Sequence, residues 1–132
     1  MKVVIVGGVA GGASAAARIR RLDEQAQIIM IERSGYVSYA NCGLPYYVGG
    51  VIKEQEELTL QTPESFWKRF RIDVRVRQEV TAIDPAGKTV TVHALDSGKV
   101  YTETYDKLLL APGAKPTVPA LSGVSSERVF TL

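Results

Sequence analysis

Cys42 is the single cysteine of the chain. It lies in Ser38-Tyr39-Ala40-Asn41-Cys42-Gly43-Leu44-Pro45-Tyr46-Tyr47. Gly43-Leu44-Pro45 reads as a helix start, so a short helix is expected over Cys42–Val48, ended by Gly49-Gly50. A thiol at a helix N-terminus is stabilised as thiolate, the form that attacks a disulfide or a peroxide. Asn41, next to it, has an amide that can orient a substrate. The alternative is the commoner fate of a lone cysteine, burial as a small inert apolar group.

A second constellation lies upstream. Gly7-Gly8-Val9-Ala10-Gly11-Gly12 follows the apolar run Lys2-Val3-Val4-Ile5-Val6 and opens the Ala- and Arg-rich segment Ala13–Leu22. A glycine turn between strand and helix gives backbone N–H groups at a helix N-terminus, a ready site for a pyrophosphate. Gly7 permits the sharp turn, and Gly11 and Gly12 let helix and strand pack closely. Val9 stands where the G-x-G-x-x-G pattern has its second glycine, which leaves the backbone less room beside the phosphates. Glu32, twenty residues after Gly12, ends the next apolar run, Gln27–Ile31. A carboxylate there accepts hydrogen bonds from ribose hydroxyls and repels a 2′-phosphate. The alternative is a glycine-rich turn of another α/β domain, with Glu32 a solvated strand end.

The elements that must position these residues form a β-α-β unit of about thirty residues, as one half of a Rossmann fold requires. Residues 34 to 41 read as a loop. Thr62-Pro63-Glu64 starts a helix expected to reach Phe70, with Thr as N-cap, Pro at the first helical position and an acid in the first turn. From Asp73 the pattern shortens. Glu79–Ile83, Thr89–Ala94 and Val100–Tyr105 read as an antiparallel meander, separated by turns rich in Asp, Gly and Pro. Lys107–Ala111 is a solid apolar run expected to rejoin a parallel sheet. The fold class is therefore α/β: a Rossmann-like, three-layer nucleotide-binding fold with a small meander.

Composition narrows the function. A formal net charge of +2 is too close to neutral to favour nucleic acid. One cysteine and one histidine make neither an internal disulfide framework nor a zinc site of the usual kind. No apolar run approaches membrane-span length, and the first strand begins at Lys2, leaving no room for a signal peptide. These readings point to a cytoplasmic protein without a membrane or nucleic-acid partner.

The stretches Val4–Gly12, Ile31-Glu32-Arg33, Ser38–Tyr47 and Tyr105–Ala114 cover much of the chain. In these it resembles the N-terminal part of the flavoprotein pyridine nucleotide–disulfide reductases, and most of all their single-cysteine branch. The resemblance implies FAD as cofactor, NADH or NADPH as co-substrate, and Cys42 as redox residue with Asn41 beside it. It places Gly7–Gly12, Glu32, Arg33, Asn41, Cys42, a backbone contact from Val80, and Ala111 and Gly113 around FAD. Oxidases and peroxidases of the branch usually carry a histidine where this chain has Ala10, and Ser-Cys-Gly where it has Asn41-Cys42-Gly43. Both departures point to the coenzyme A-disulfide or polysulfide reductase group. That group implies a substrate route past Ser14, Arg18, Arg21, Ser38 and Asn41. Helical spacing independently sets Ser14, Arg18 and Arg21 on one side of their helix, a pattern that a solvated basic face shares.

Two alternatives stay open: an NADH oxidase or peroxidase with Cys42 cycling through sulfenic acid, and a truncated nucleotide-binding module with no turnover. The resemblance also implies that residues 1–132 are the N-terminal part of a discontinuous FAD domain. The nicotinamide-binding and dimerisation domains of a homodimeric enzyme would lie elsewhere. The 132-residue chain alone is then expected to be inactive and prone to self-association.

Overall fold

The structure is a computed structural model and describes Met1–Thr131. Four strands form a parallel sheet: β1 (Lys2–Val6), β2 (Gln27–Ile31), β3 (Ile72–Arg75) and β7 (Lys107–Leu110), in the order β3-β2-β1-β7. Three more, β4 (Gln78–Asp84), β5 (Thr89–Ala94) and β6 (Val100–Thr104), form an antiparallel meander. The helices are α1 (Gly11–Leu22), α2 (Leu44–Val48) and α3 (Pro63–Phe70).

Three layers follow from alternation along the buried strands. Val3, Ile5, Ile28, Met30 and Ile72 face the helical layer, where Ala13, Ala16 and Phe66 meet them. Val4, Ile29 and Ile31 face the other way and pack on Val90 and Val92 of the meander. Strands buried on both faces carry unbroken apolar runs, which is why β1 and β2 are legible without alternation.

β1 leads through α1 to β2 on one side, and β7 pairs with β1 on the other. The chain thus reverses direction at β1, and the strand ends Val6, Ile31 and Leu110 lie level across the sheet. The crevice beyond such a switch point is where open α/β sheets bind ligands.

Some boundaries differ from the sequence reading. β3 is a parallel edge strand paired with β2, whereas the residues after Phe70 read only as the start of the meander. Ile72 is fully buried, but Asp73 and Arg75 alternate with Val74 and hide a parallel strand in a polar pattern. α1 begins two residues earlier than expected, at Gly11. The helix after the cysteine begins two residues later than expected, at Leu44, and Cys42 lies in a 3₁₀ turn, Asn41–Gly43. Gly50, at φ 74°, ends α2 as anticipated. Thr62 caps α3 by accepting a hydrogen bond from the Ser65 N–H at 3.2 Å.

A charged cluster fastens the meander to the parallel sheet. Glu103 of β6 accepts from Lys2 Nζ at 2.5 Å and from Arg75 Nη1 at 2.6 Å. Arg75 also bonds Asp73 and the Tyr101 hydroxyl, which in turn donates to Gln78. Partial burial works against ionisation of Glu103, and is outweighed by the hydrogen bonds from Lys2 and then Arg75, which hold its carboxyl below the usual range. Burial likewise opposes the charge on Arg75, but Glu103, Tyr101 and Asp73 together raise its affinity for the proton.

Candidate functional site

The glycine turn is set by close backbone approach. Gly7 has φ 94°, and a Cβ there would lie 2.0 Å from the Ala111 carbonyl oxygen. A Cβ on Gly12 would lie 1.8 Å from the Gly7 carbonyl oxygen, so only glycine lets α1 start against the end of β1. Gly11 differs: its Cβ would meet Ala111 Cβ at 3.5 Å, an ordinary contact. Close packing therefore demands Gly12 and tolerates a methyl at Gly11.

The first turn of α1 has no side-chain cap and no acidic residue. Its leading N–H groups have no intrahelical acceptor. Ala10 is the N-cap, with helical φ and ψ.

Glu32 is buried, not a solvated strand end. Its Oε2 accepts the Gly8 N–H and its Oε1 the Ser34 N–H, both at 2.8 Å. Its own N–H donates to the Arg75 carbonyl and its carbonyl accepts from Gln78. A carboxylate offers about four acceptor positions, so two backbone bonds leave capacity for hydroxyl donors. A cleft of ≈ 180 Å³ is lined by Gly7, Glu32, Arg33, Gln78, Val80 and Pro112, among others. Arg33 is exposed there and pairs with Glu79 at 3.4 Å. Ala111 packs on Gly7, while Gly113, at φ 75°, lies in the exposed segment after β7. Gln78 and Pro112 went unread because a turn and the far end of the sheet bring them to Glu32.

A second cleft, of ≈ 460 Å³, holds the thiol. Val9, Ala10, Ala13 and Ser14 of the glycine turn and α1 form one wall; Ser38, Asn41 and Cys42 form the other, with Tyr39, Ala40 and Leu60. Cys42 is a free, exposed thiol, so the inert buried alternative does not hold. α2 has only five residues and starts two residues beyond Cys42, a weaker helix end than the sequence suggested. Ser14, Arg18 and Arg21 share the exposed face of α1. Only Ser14 of these three lines the thiol cleft. Arg18 and Arg21 make no ion pair among the described residues. Arg20 points inward instead, donating to the carbonyls of Phe70, Asp23, Glu24 and Arg71 and so capping the C-terminal ends of α1 and α3.

A parallel sheet with a glycine turn at its switch point, a buried acid ending the second strand and an exposed thiol nearby defines a nucleotide-binding oxidoreductase domain. The chain belongs to the pyridine nucleotide-disulphide oxidoreductase family, which matches it over residues 1–132. It is 43% identical to coenzyme A disulfide reductase of Staphylococcus aureus (strain JH9) over 131 residues, 99% of this chain and 29% of that protein. Its fold is similar to that of reduced CoADR-RHD of Bacillus anthracis, with TM-score 0.89 and 55% identity over 93% of this chain and 22% of that one. An NAD-dependent persulfide reductase from A. fulgidus superposes at TM-score 0.90 with 41% identity, over 96% of this chain and 24% of that one. A water-forming NADH oxidase from Lactobacillus brevis superposes at 0.87 with 36% identity, over 97% and 28%. The chain thus spans 29% of the length of the curated relatives it matches.

Proposed function

We propose that this chain supplies the FAD-binding and thiol-bearing part of an NAD(P)H-dependent disulfide reductase acting on coenzyme A disulfide or a related persulfide or polysulfide. One observation carries the reading: the glycine-turn wall and an exposed lone cysteine open on a single cleft. The similarity to coenzyme A disulfide reductase and to a persulfide reductase supports the substrate class.

The residues fit FAD. The glycines let α1 start close against the end of β1, and the uncapped start of α1 suits a pyrophosphate. Glu32, with spare acceptor capacity, would take the ribose hydroxyls. Arg33 and the Val80 backbone would flank the adenosine half, with Ala111 and Gly113 along the edge of the turn. Bound there, FAD would supply the two-electron path between a nicotinamide and sulfur.

The chain's own part is sulfur chemistry and positioning. The Cys42 thiolate attacks one sulfur of the disulfide; a Cys42–substrate S–S bond forms, the original S–S bond breaks, and the first thiolate leaves. Two electrons from NAD(P)H and a proton then split the mixed disulfide, releasing the second thiol and restoring the Cys42 thiolate. Asn41 and Ser38 offer hydrogen bonds to the substrate arm in the cleft. Arg18 and Arg21, unpaired on the exposed face of α1, would meet its phosphates.

In this reading residues 1–132 are one portion of a discontinuous FAD domain in a homodimeric cytoplasmic enzyme. The 22–29% coverage of the relatives supports it. The chain by itself is then without steady turnover. A second reading, an NADH oxidase with Cys42 cycling through sulfenic acid, is favoured by the Lactobacillus brevis similarity. Ala10 supplies no imidazole to that chemistry.

Cys42→Ser in the full-length protein tests both. The variant should bind FAD as the parent does and lose coenzyme A disulfide reduction, with little oxygen consumed by the parent. Parental disulfide reduction in the Ser variant would remove Cys42 from the mechanism. NADH-dependent oxygen consumption that exceeds disulfide reduction would transfer the protein to the oxidase reading.

A further inference from the structure

Gly8 lines neither cleft, but its backbone bonds one residue of each, Glu32 and Ser38. Its N–H donates to Glu32 Oε2 at 2.8 Å, and its carbonyl accepts the Ser38 N–H at 2.9 Å. The Ser38 carbonyl then accepts from Leu60 at 3.1 Å, and the Ala40 N–H donates to Leu58 at 2.8 Å. Tyr39 and Thr59 form an antiparallel bridge between those two bonds. The cysteine segment is therefore a short ribbon, 38–40 against 58–60. One end carries Cys42, and the other is fastened to the glycine turn.

The fastening is tight. Ser38 holds φ 50°, a left-handed conformation that a residue with a Cβ keeps only where its surroundings fix it. Val37, fully buried, packs so closely on Gly8 that a Cβ there would lie 2.8 Å from Val37 Cγ1. At the Cys42 end, a Cβ on Gly43 would lie 2.6 Å from Leu58 Cδ2, so the far strand of the ribbon presses on the thiol turn as well.

We infer that Glu32 is a positioning residue for Cys42: its carboxylate fixes Gly8, Gly8 fixes Ser38, and Ser38 sets the ribbon that carries the thiol. The residue expected to read the ribose thus also places the sulfur, through two hydrogen bonds at Gly8 and the backbone from Ser38 to Cys42. The inference rests on Cys42 being the working thiol, but its test uses neither flavin nor substrate and so can fail separately from that reading.

Amide hydrogen exchange on the nucleotide-free full-length protein follows the relay directly. Glu32→Ala should lower protection at Ser38 and Leu60 by roughly five-fold or more, the effect of one lost hydrogen bond. The ¹³C signal of Cys42 Cβ should move with them. Glu32→Gln, which keeps one acceptor oxygen, should restore part of both, and it carries the test if the alanine variant does not fold. Val92→Ala, a core truncation in the meander, controls for general loosening and should leave Ser38 and the Cys42 signal unchanged. Loss of protection at Gly8 and Ser34 alone, with Ser38, Leu60 and Cys42 unmoved, would overturn the relay. So would an equal response to Val92→Ala.

Discussion

Glu32 and Cys42 are both expected to touch the cofactor, yet the fold holds them in opposite ways. Glu32 is buried, with its carboxylate and both its backbone groups hydrogen-bonded to four different residues. Cys42 is exposed on a three-residue 3₁₀ turn, followed by a helix none of whose five residues is buried. Tyr46, Val48 and Val51 around it are open to solvent. On the nucleotide side the acid is held by backbone groups of its own chain, while the first N–H groups of α1 stay uncapped. The thiol side presents apolar surface that its own chain does not cover.

The contrast breaks first at the glycine turn. Gly12→Ala forces a methyl into the Gly7 carbonyl and should cost more than about 3 kcal/mol, enough to unfold the domain. Gly11→Ala, one residue away, should change stability by less than about 1 kcal/mol. Urea titrations of the two variants check this, and equal losses would mean that the α1–β1 approach is not the constraint.

Glu32→Ala should come next. It strands the Gly8 and Ser34 N–H groups and removes the ribose acceptor, so FAD affinity should fall by about 1–3 kcal/mol. Flavin titration followed by fluorescence measures it; an unchanged affinity would leave Glu32 with its structural role only.

On the thiol side, charge reversal at Arg18 and Arg21 should leave the fold intact. In the full-length enzyme it should raise KM for coenzyme A disulfide several-fold, up to about ten-fold, and more at low salt. A small uncharged disulfide should be spared. Equal effects on both substrates would make these arginines a solvated face.

The smallest effect concerns pH. The folded-state affinity of Glu103 for its proton is lower than that of an ordinary glutamate, because Lys2 and Arg75 favour the carboxylate over the opposing burial. Its stabilising contribution is therefore complete above the ordinary glutamate range. It is lost as pH falls through that range and on through the lowered folded value. Melting temperatures of the parent and Glu103→Gln should differ near neutrality and converge in acid. Parallel curves throughout would show that the link from β1 and β3 to β6 adds no stability.

How much was legible without coordinates divides along similar lines. β1 and β2 were readable because strands buried on both faces must be apolar throughout; β7 was readable as an apolar run, although at the sheet edge it is at most half-buried. β3 was not, because Asp73 and Arg75 put charges into it, and the partners of Arg75, Tyr101 and Glu103, lie 26 or more residues away. The turn, Glu32 and Cys42 were found from local spacing, since a strand–turn–helix site is built from adjacent residues. Gln78 and Pro112 at the nucleotide cleft, and Leu60 at the thiol cleft, carry no local pattern.

The sequence by itself determined which residues could do chemistry: a glycine turn, an acid at the end of the second strand, and one cysteine beside an asparagine. Their types and short spacings are fixed by covalent neighbours and by the needs of a β-α-β turn. The tertiary structure alone decided which glycine is indispensable, that Glu32 is buried and engaged by backbone N–H groups, and that Cys42 is exposed. It also decided that Gly8 joins the two clefts. Each of these depends on contacts between segments far apart in the chain, and such contacts exist only once the sheet has closed and the ribbon at 38–40 has found 58–60.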